Sequence, residues 1–205
     1  MSRSFEALLR AALHDPDAEA ELIGAFSRPA AAVVFGYSGS RHRAHAMGPA
    51  YAAALGRAAE DAVLGALEPD GAAQASRRLR DGLLLVFATP QEALHGAMDG
   101  LAALGRLNRD RRGRIGDGSR RDPIGAGVGI GFGTLLISPE PDALGEEADA
   151  AFHLAGAAGP GEILASDAFM AALGAPPPGV GSHRGRADRA HAIGTSFTVL
   201  LDYRA

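Results

Sequence analysis

The chain has 205 residues, 47% hydrophobic and 21% charged, which is the balance of a globular domain and excludes a disordered or collagen-like chain. Its net charge of −4 argues against a general nucleic-acid binder, and all 20 of its basic residues are arginine, which excludes Schiff-base lysine chemistry and a Gly-Lys phosphate loop. The absence of cysteine excludes disulfides, thiolate nucleophiles and cysteine-ligated zinc. With no signal-peptide core and no apolar run of about 18 residues, the expectation is a cytoplasmic protein that does not insert into a membrane.

Phe5, Leu8, Leu9, Ala12 and Leu13 recur at helical spacing, and Asp15-Pro16-Asp17 caps a second helix that turns Leu22, Ile23 and Phe26 one way. Residues 1–28 are therefore expected as an N-terminal helical segment, ended by Pro29, and residues 29–205 as the main domain. Ala30 to Phe35 is a continuous apolar run suited to a buried strand. The small residues Gly36, Tyr37 and Ser38 follow, with Gly39 and Ser40, as either an anion-cradling turn or a tight strand-to-helix turn. Arg41-His42-Arg43-Ala44-His45 lacks an acidic or sulfur partner, so it reads as a solvated loop rather than a metal tract. An alanine-rich helix spans Pro49 to Leu67.

Asp81 sits on a turn ahead of the apolar strand Leu83 to Phe87. It is either a turn cap or a carboxylate held at the mouth of a strand, aimed at a ligand. Thr89-Pro90-Gln91-Glu92 is a capping box, so a helix starts there; its apolar face predicts an end near Asn108. The six arginines between Arg109 and Asp122 read as an exposed loop rather than a phosphate contact. From Ile124 to Thr134 every second residue is glycine, and Val128, Ile130 and Phe132 share the other face. No register fits G-x-G-x-x-G. A bare strand face implies a close neighbour: a helix, a partner backbone or a ligand, of which helix packing is preferred. Asp142 stands in a turn, Asp149 and His153 are helical neighbours four residues apart, and Ser166 caps a helix that ends at Gly174. A polar arm, Gly179 to His191, leads to a closing strand at Ser196 to Tyr203.

Strands and helices alternate, which predicts an α/β (α+β) fold with a ferredoxin-like, palm-type sheet and helices packed on one face. From Pro29 to Tyr203 the order and spacing of Gly36-Tyr37-Ser38, Asp81-Gly82, Gly129-Ile130-Gly131, Asp142-Ala143-Leu144-Gly145 and Pro160-Gly161-Glu162-Ile163 resemble the catalytic domain of class III nucleotidyl cyclases, the adenylate and guanylate cyclases. The Gly-Gly-acidic-acidic-Phe signature of diguanylate cyclases is missing.

The resemblance implies a head-to-tail dimer in which two acidic residues hold Mg²⁺ or Mn²⁺ on a nucleoside triphosphate. The second of these is Asp81. The first falls at Val33, or at Gly36 if an insertion is placed differently, and no Asp or Glu occurs between Glu21 and Glu60. The base-reading Lys and Asp fall at Arg77 and Asp142, the phosphate turn at Gly36, Tyr37 and Ser38. The Asn and Arg that orient the ribose and stabilise the transition state fall at Asp149 and His153. The resemblance with these departures implies a degenerate, pseudo-cyclase signalling, interaction or nucleotide-sensing module acting as a homodimer, without nucleic acid. The alternative is a weak cyclase that enlists Glu60, Asp61 or a histidine-bound metal, or one completed in a heterodimer with an active cyclase.

Overall fold

The computed structural model describes residues 3–67, 73–114, 123–140, 142–185 and 196–202. Helices α1 (Phe5–Ala11) and α2 (Pro16–Phe26) open the chain, each capped by a side chain: Ser4 Oγ accepts from the Ala7 amide at 3.3 Å and Asp15 Oδ1 from the Asp17 amide at 3.0 Å. Phe5, Leu8, Ala18 and Leu22 form a small cluster beside Leu136, and the Phe5 and Phe26 rings meet edge to face at 5.0 Å. Ile23, expected to turn inward with Leu22, is 47% exposed, because the next residue along a helix points about 100° away.

Strand β1 (Ser27–Tyr37) begins earlier than the apolar run and contains Pro29. Pro29 pairs with Thr134 of β4, while the pairing with β3 begins only at Ala31, so the missing N–H breaks no β1–β3 bond. The chain continues through α3 (Ser40–Met47), α4 (Pro49–Leu67), β2 (Ala73–Leu79), β3 (Gly82–Phe87), α5 (Pro90–Arg114), β4 (Ala126–Ile137) and β5 (Ala143–Leu144). It closes with α6 (Glu146–Ala157), β6 (Ile163–Ser166), α7 (Asp167–Leu173), β7 (Val180–Arg184) and β8 (Phe197–Asp202). One mixed sheet runs β2-β3-β1-β4-β6-β8-β7, with β5 added to β4; among the described residues only the β4–β6 pairing is parallel.

The mixed α/β class is the one the sequence predicts, but the helices lie on both faces of the sheet. Ala31, Val33 and Phe35 of β1 pack with α4, α5 and α7, whereas Ala30, Ala32 and Val34 pack with α6. This follows from β1 and β3 being apolar at consecutive positions, as a strand covered on both sides must be. Two helix boundaries also differ from expectation. Arg41 to His45 lies within α3, and α5 runs through the first arginines to Arg114. Asn108 does not stop α5: its side chain donates to the Ile124 carbonyl at 2.9 Å and accepts from the Ile124 amide at 3.0 Å. Arginine is a good helix former and suits a helix C-terminus, so the chain continues. The rest of the arginine-rich segment, from residue 115 to 122, lies outside the described residues, as does most of the polar arm after Gly185. No helix among the described residues is long and apolar enough to cross a membrane.

Candidate functional site

The turn between β2 and β3 carries Asp81. Its backbone carbonyl accepts from the Tyr37 amide at 2.8 Å, which fixes the turn against the end of β1. Its carboxylate is exposed and makes no hydrogen bond or ion pair among the described residues. The two β1 positions named for a first acidic ligand differ in place. Gly36 pairs directly with Gly82, the residue after Asp81. Val33 pairs with Leu85, about 10 Å along the strand at ~3.3 Å per residue, and is fully buried among the α4 and α5 side chains. A side chain at Gly36 would point toward α6, its Cβ 3.2 Å from the Ala155 carbonyl oxygen. Among the described residues no three His, Cys, Asp or Glu side chains converge, and His42 and His45 are exposed on α3.

The Gly36, Tyr37 and Ser38 segment is held inward. The Tyr37 amide is taken by Asp81, and the Ser38 amide and hydroxyl both donate to the Gly125 carbonyl, at 2.9 and 3.2 Å. Beneath it lies the buried Arg43, whose guanidinium donates to the Ser38 carbonyl and, at 3.5 Å, to the Pro123 carbonyl. Tyr37 is itself buried and its hydroxyl has no partner among the described residues. Burial, then the charges of Glu60 and Asp61, push that phenol well above its ordinary value.

Arg77 on β2 and Asp142 before β5 are brought together from 65 residues apart: Arg77 Nη1 donates to Asp142 Oδ2. The other carboxylate oxygen of Asp142 accepts from the Ala143 amide at 3.0 Å, so the residue both starts a turn and holds an arginine. Asp149 and His153 lie exposed on one face of α6, as their spacing requires, but form no ion pair with each other.

What sets the position of α6 is the bare glycine face of β4. A Cβ at Gly127, Gly129 or Gly131 would fall inside the van der Waals shell of the α6 backbone or of Ala158, at the Ala158, Ala151 and Glu147 carbonyl oxygens respectively. The neighbour that the alternation requires is therefore a helix. Glu147 anchors it further, its carboxylate accepting from the Phe132 amide at 3.2 Å and from the Ser166 hydroxyl.

Sequence reasoning named Glu60 and Asp61 of α4 only as substitute metal ligands of a weak cyclase; the structure engages both with arginines. Glu60 is buried and held by Arg78 of β2 at 3.1 Å and Arg57 at 3.7 Å, and Arg78 reaches Asp61 at 2.9 Å. Burial raises the Glu60 carboxyl, Arg57 pulls it back, and Asp61 raises it again. The Arg57–Glu60 spacing was visible in the chain; the crossing from Arg78 depends on tertiary structure.

No family model matches the sequence, and no curated protein matches it. Solved structures do. The guanylyl cyclase Cya2 superposes with a TM-score of 0.67 at 16% identity, over 86% of this chain and 91% of that one. The adenylyl cyclase CyaB from P. aeruginosa gives 0.66 at 14% identity, over 86% and 96%. The guanylyl cyclase domain of the RhoGC fusion protein from the aquatic fungus Blastocladiella emersonii, in a non-canonical dimeric form, gives 0.66 at 12%, over 86% and 98%. The chain therefore has the fold of class III nucleotidyl cyclase catalytic domains.

Proposed function

We propose that this cyclase-like domain is catalytically silent, a pseudo-cyclase that works as a dimeric signalling or nucleotide-sensing module. One observation carries the reading: β1 meets the Asp81 turn with Gly36, paired with Gly82, and Tyr37, whose amide bonds the Asp81 carbonyl, and neither is acidic, so the turn offers one carboxylate where two-metal chemistry needs bridging ligands for both ions. Mg²⁺ gives up its waters reluctantly and is poorly held by a single carboxylate. The exposed Asp149 and His153, which the resemblance sets at the positions of the family's Asn and Arg, compound the defect, since loss of one transition-state donor lowers a rate by about 10²–10³-fold. The paired Arg77 and Asp142 support retention of a base-binding function without turnover. That the RhoGC domain, which shares the fold, takes a non-canonical dimeric form as well as a monomeric one supports self-association as within reach of the fold.

The purified protein is expected to yield no cyclic nucleotide from Mn²⁺ with ATP or GTP above the level of Asp81→Ala. Product that disappears in Asp81→Ala overturns the reading. A second reading, completion by an active cyclase in a heterodimer, is favoured by the open, unbonded Asp81 carboxylate. Its expected sign is activity gained on mixing with a catalytic homologue and lost again with Asp81→Ala.

A further inference from the structure

Strand β2 carries two consecutive arginines, and because successive side chains of a strand alternate, they leave by opposite faces of the sheet. Arg77 stands opposite Leu84, in the layer covered by α6, and reaches Asp142. Arg78 stands opposite Leu83, in the layer covered by α4 and α5, and reaches Glu60 at 3.1 Å and Asp61 at 2.9 Å. An edge strand with β3 as its neighbour in the sheet is thus tied down from both sides.

Glu60 is the member that burial constrains. It lies three residues before Val63 and seven before Leu67, on the stripe of α4 that faces the core, and is 7% exposed. A carboxylate so placed must keep a partner, because an uncompensated buried charge is strongly destabilising. Its partner Arg78 is a surface group, its side chain 39% exposed, and already divides itself between Glu60 and Asp61. A second donor stands in the same layer. Tyr37 packs with Leu55 and Ala59 of α4, its hydroxyl is buried without a hydrogen bond among the described residues, and Glu60 is the charge that acts on it most strongly. A buried hydroxyl left unpaired gains from any acceptor that reaches it, and a carboxylate is the strongest acceptor a side chain offers.

We propose that Glu60 is the shared member of a latch: Arg78 holds it in this structure, and the Tyr37 hydroxyl takes it over when β2 withdraws. Both donors are tied to the Asp81 turn, which follows Arg78 by three residues and whose carbonyl is held by the Tyr37 amide at 2.8 Å. A ligand or partner that displaces Arg77 on one face moves the adjacent Arg78 on the other, and the released Glu60 turns to Tyr37. The turn then has two positions, set by which donor Glu60 keeps. The latch goes beyond the silent-enzyme reading and stands whether or not the protein turns over a substrate.

The test is a double-mutant cycle on the full chain, read by urea unfolding. In the wild-type background Tyr37→Phe removes a hydroxyl that makes no bond, so the folding constant stays the same or rises. With Arg78→Met in place Glu60 has turned to the phenol, and Tyr37→Phe then lowers the folding constant by about tenfold or more. Arg78→Lys keeps a cation on Glu60, and in that background Tyr37→Phe is again without cost. Near-UV absorption gives a readout that packing alone does not move: Arg78→Met shifts the tyrosine band to longer wavelength, as for a phenol donating to a carboxylate, and Tyr37→Phe abolishes the shift. Hydrogen exchange at amide 37 reads the link to Asp81, its protection changing by about tenfold in Arg78→Met and holding in Arg78→Lys. A Tyr37→Phe effect that is equal in the wild-type and Arg78→Met backgrounds overturns the latch, as does a tyrosine band that Arg78→Met leaves in place. Unchanged protection of amide 37 in Arg78→Met overturns its coupling to the Asp81 turn.

Discussion

Replacing Gly36 by aspartate adds a carboxylate at the β1 position paired with Gly82, the residue after Asp81, and the response to divalent cation tests whether that position is the deficit. Gly36 is not among the glycines with positive φ, so a side chain there brings no backbone strain. The new Cβ lies 3.2 Å from the Ala155 carbonyl oxygen, so α6 must yield by a few tenths of an ångström, at a cost of about 1 kcal/mol. At a Mn²⁺ concentration of about 100 times Kd, binding adds about 2.7 kcal/mol, which for a domain of this size raises Tm by about 5–10 °C. The wild type, with Asp81 alone, is expected to show no such rise. Val33→Asp is the contrasting arm. It buries a carboxyl in the apolar layer between the sheet and α4 and α5, costing about 3–5 kcal/mol of a total stability of about 5–15. Burial raises the folded pKa of that introduced carboxyl above its unfolded value near 3.9, so the variant is least impaired below that pH and weakens as pH rises. Differential scanning fluorimetry with and without Mn²⁺, and urea unfolding at two pH values, read both arms. A Mn²⁺ rise in Val33→Asp but not in Gly36→Asp, or an equal rise in the wild type, refutes the placement of the deficit at Gly36.

Gly129→Ala is expected to cost about 3 kcal/mol or more in urea unfolding, because its methyl meets the α6 backbone, which cannot rotate away; an unchanged midpoint would mean that α6 is not seated on the glycine face. Glu60→Gln tests the buried carboxyl on α4. Because its folded pKa is raised, the wild type loses part of its stability as pH climbs from the unfolded value near 4.3 through the folded one. The variant lacks that slope, and an identical slope in both proteins rules out Glu60 as its source.

Local chemistry made some of this structure legible in the chain. The capping box is reciprocal as its sequence demands: the Glu92 amide donates to Thr89 Oγ1 at 3.2 Å and the Thr89 amide to Glu92 Oε2 at 3.1 Å. Unbroken apolar runs in β1 and β3 marked the central strands. Strands β2 and β7 went unrecognised because they stand at the two edges of the sheet, where little is buried and no alternation is needed; Ala73 to Leu79 and Val180 to Arg184 are largely polar. The same physics governs the site. Glycine at every second position of β4 announces a close neighbour, since a pattern along one strand records what packs on it. The choice between Val33 and Gly36 is different in kind. Both lie within one apolar run, and only the pairing of Gly36 with Gly82 brings one of them beside Asp81. Arg77 with Asp142, and Arg78 with Glu60, likewise meet across elements that no local periodicity links. A site built at the ends of several strands is specified by register, and register is a property of the sheet, so single-strand patterns reveal that residues are held without revealing against what.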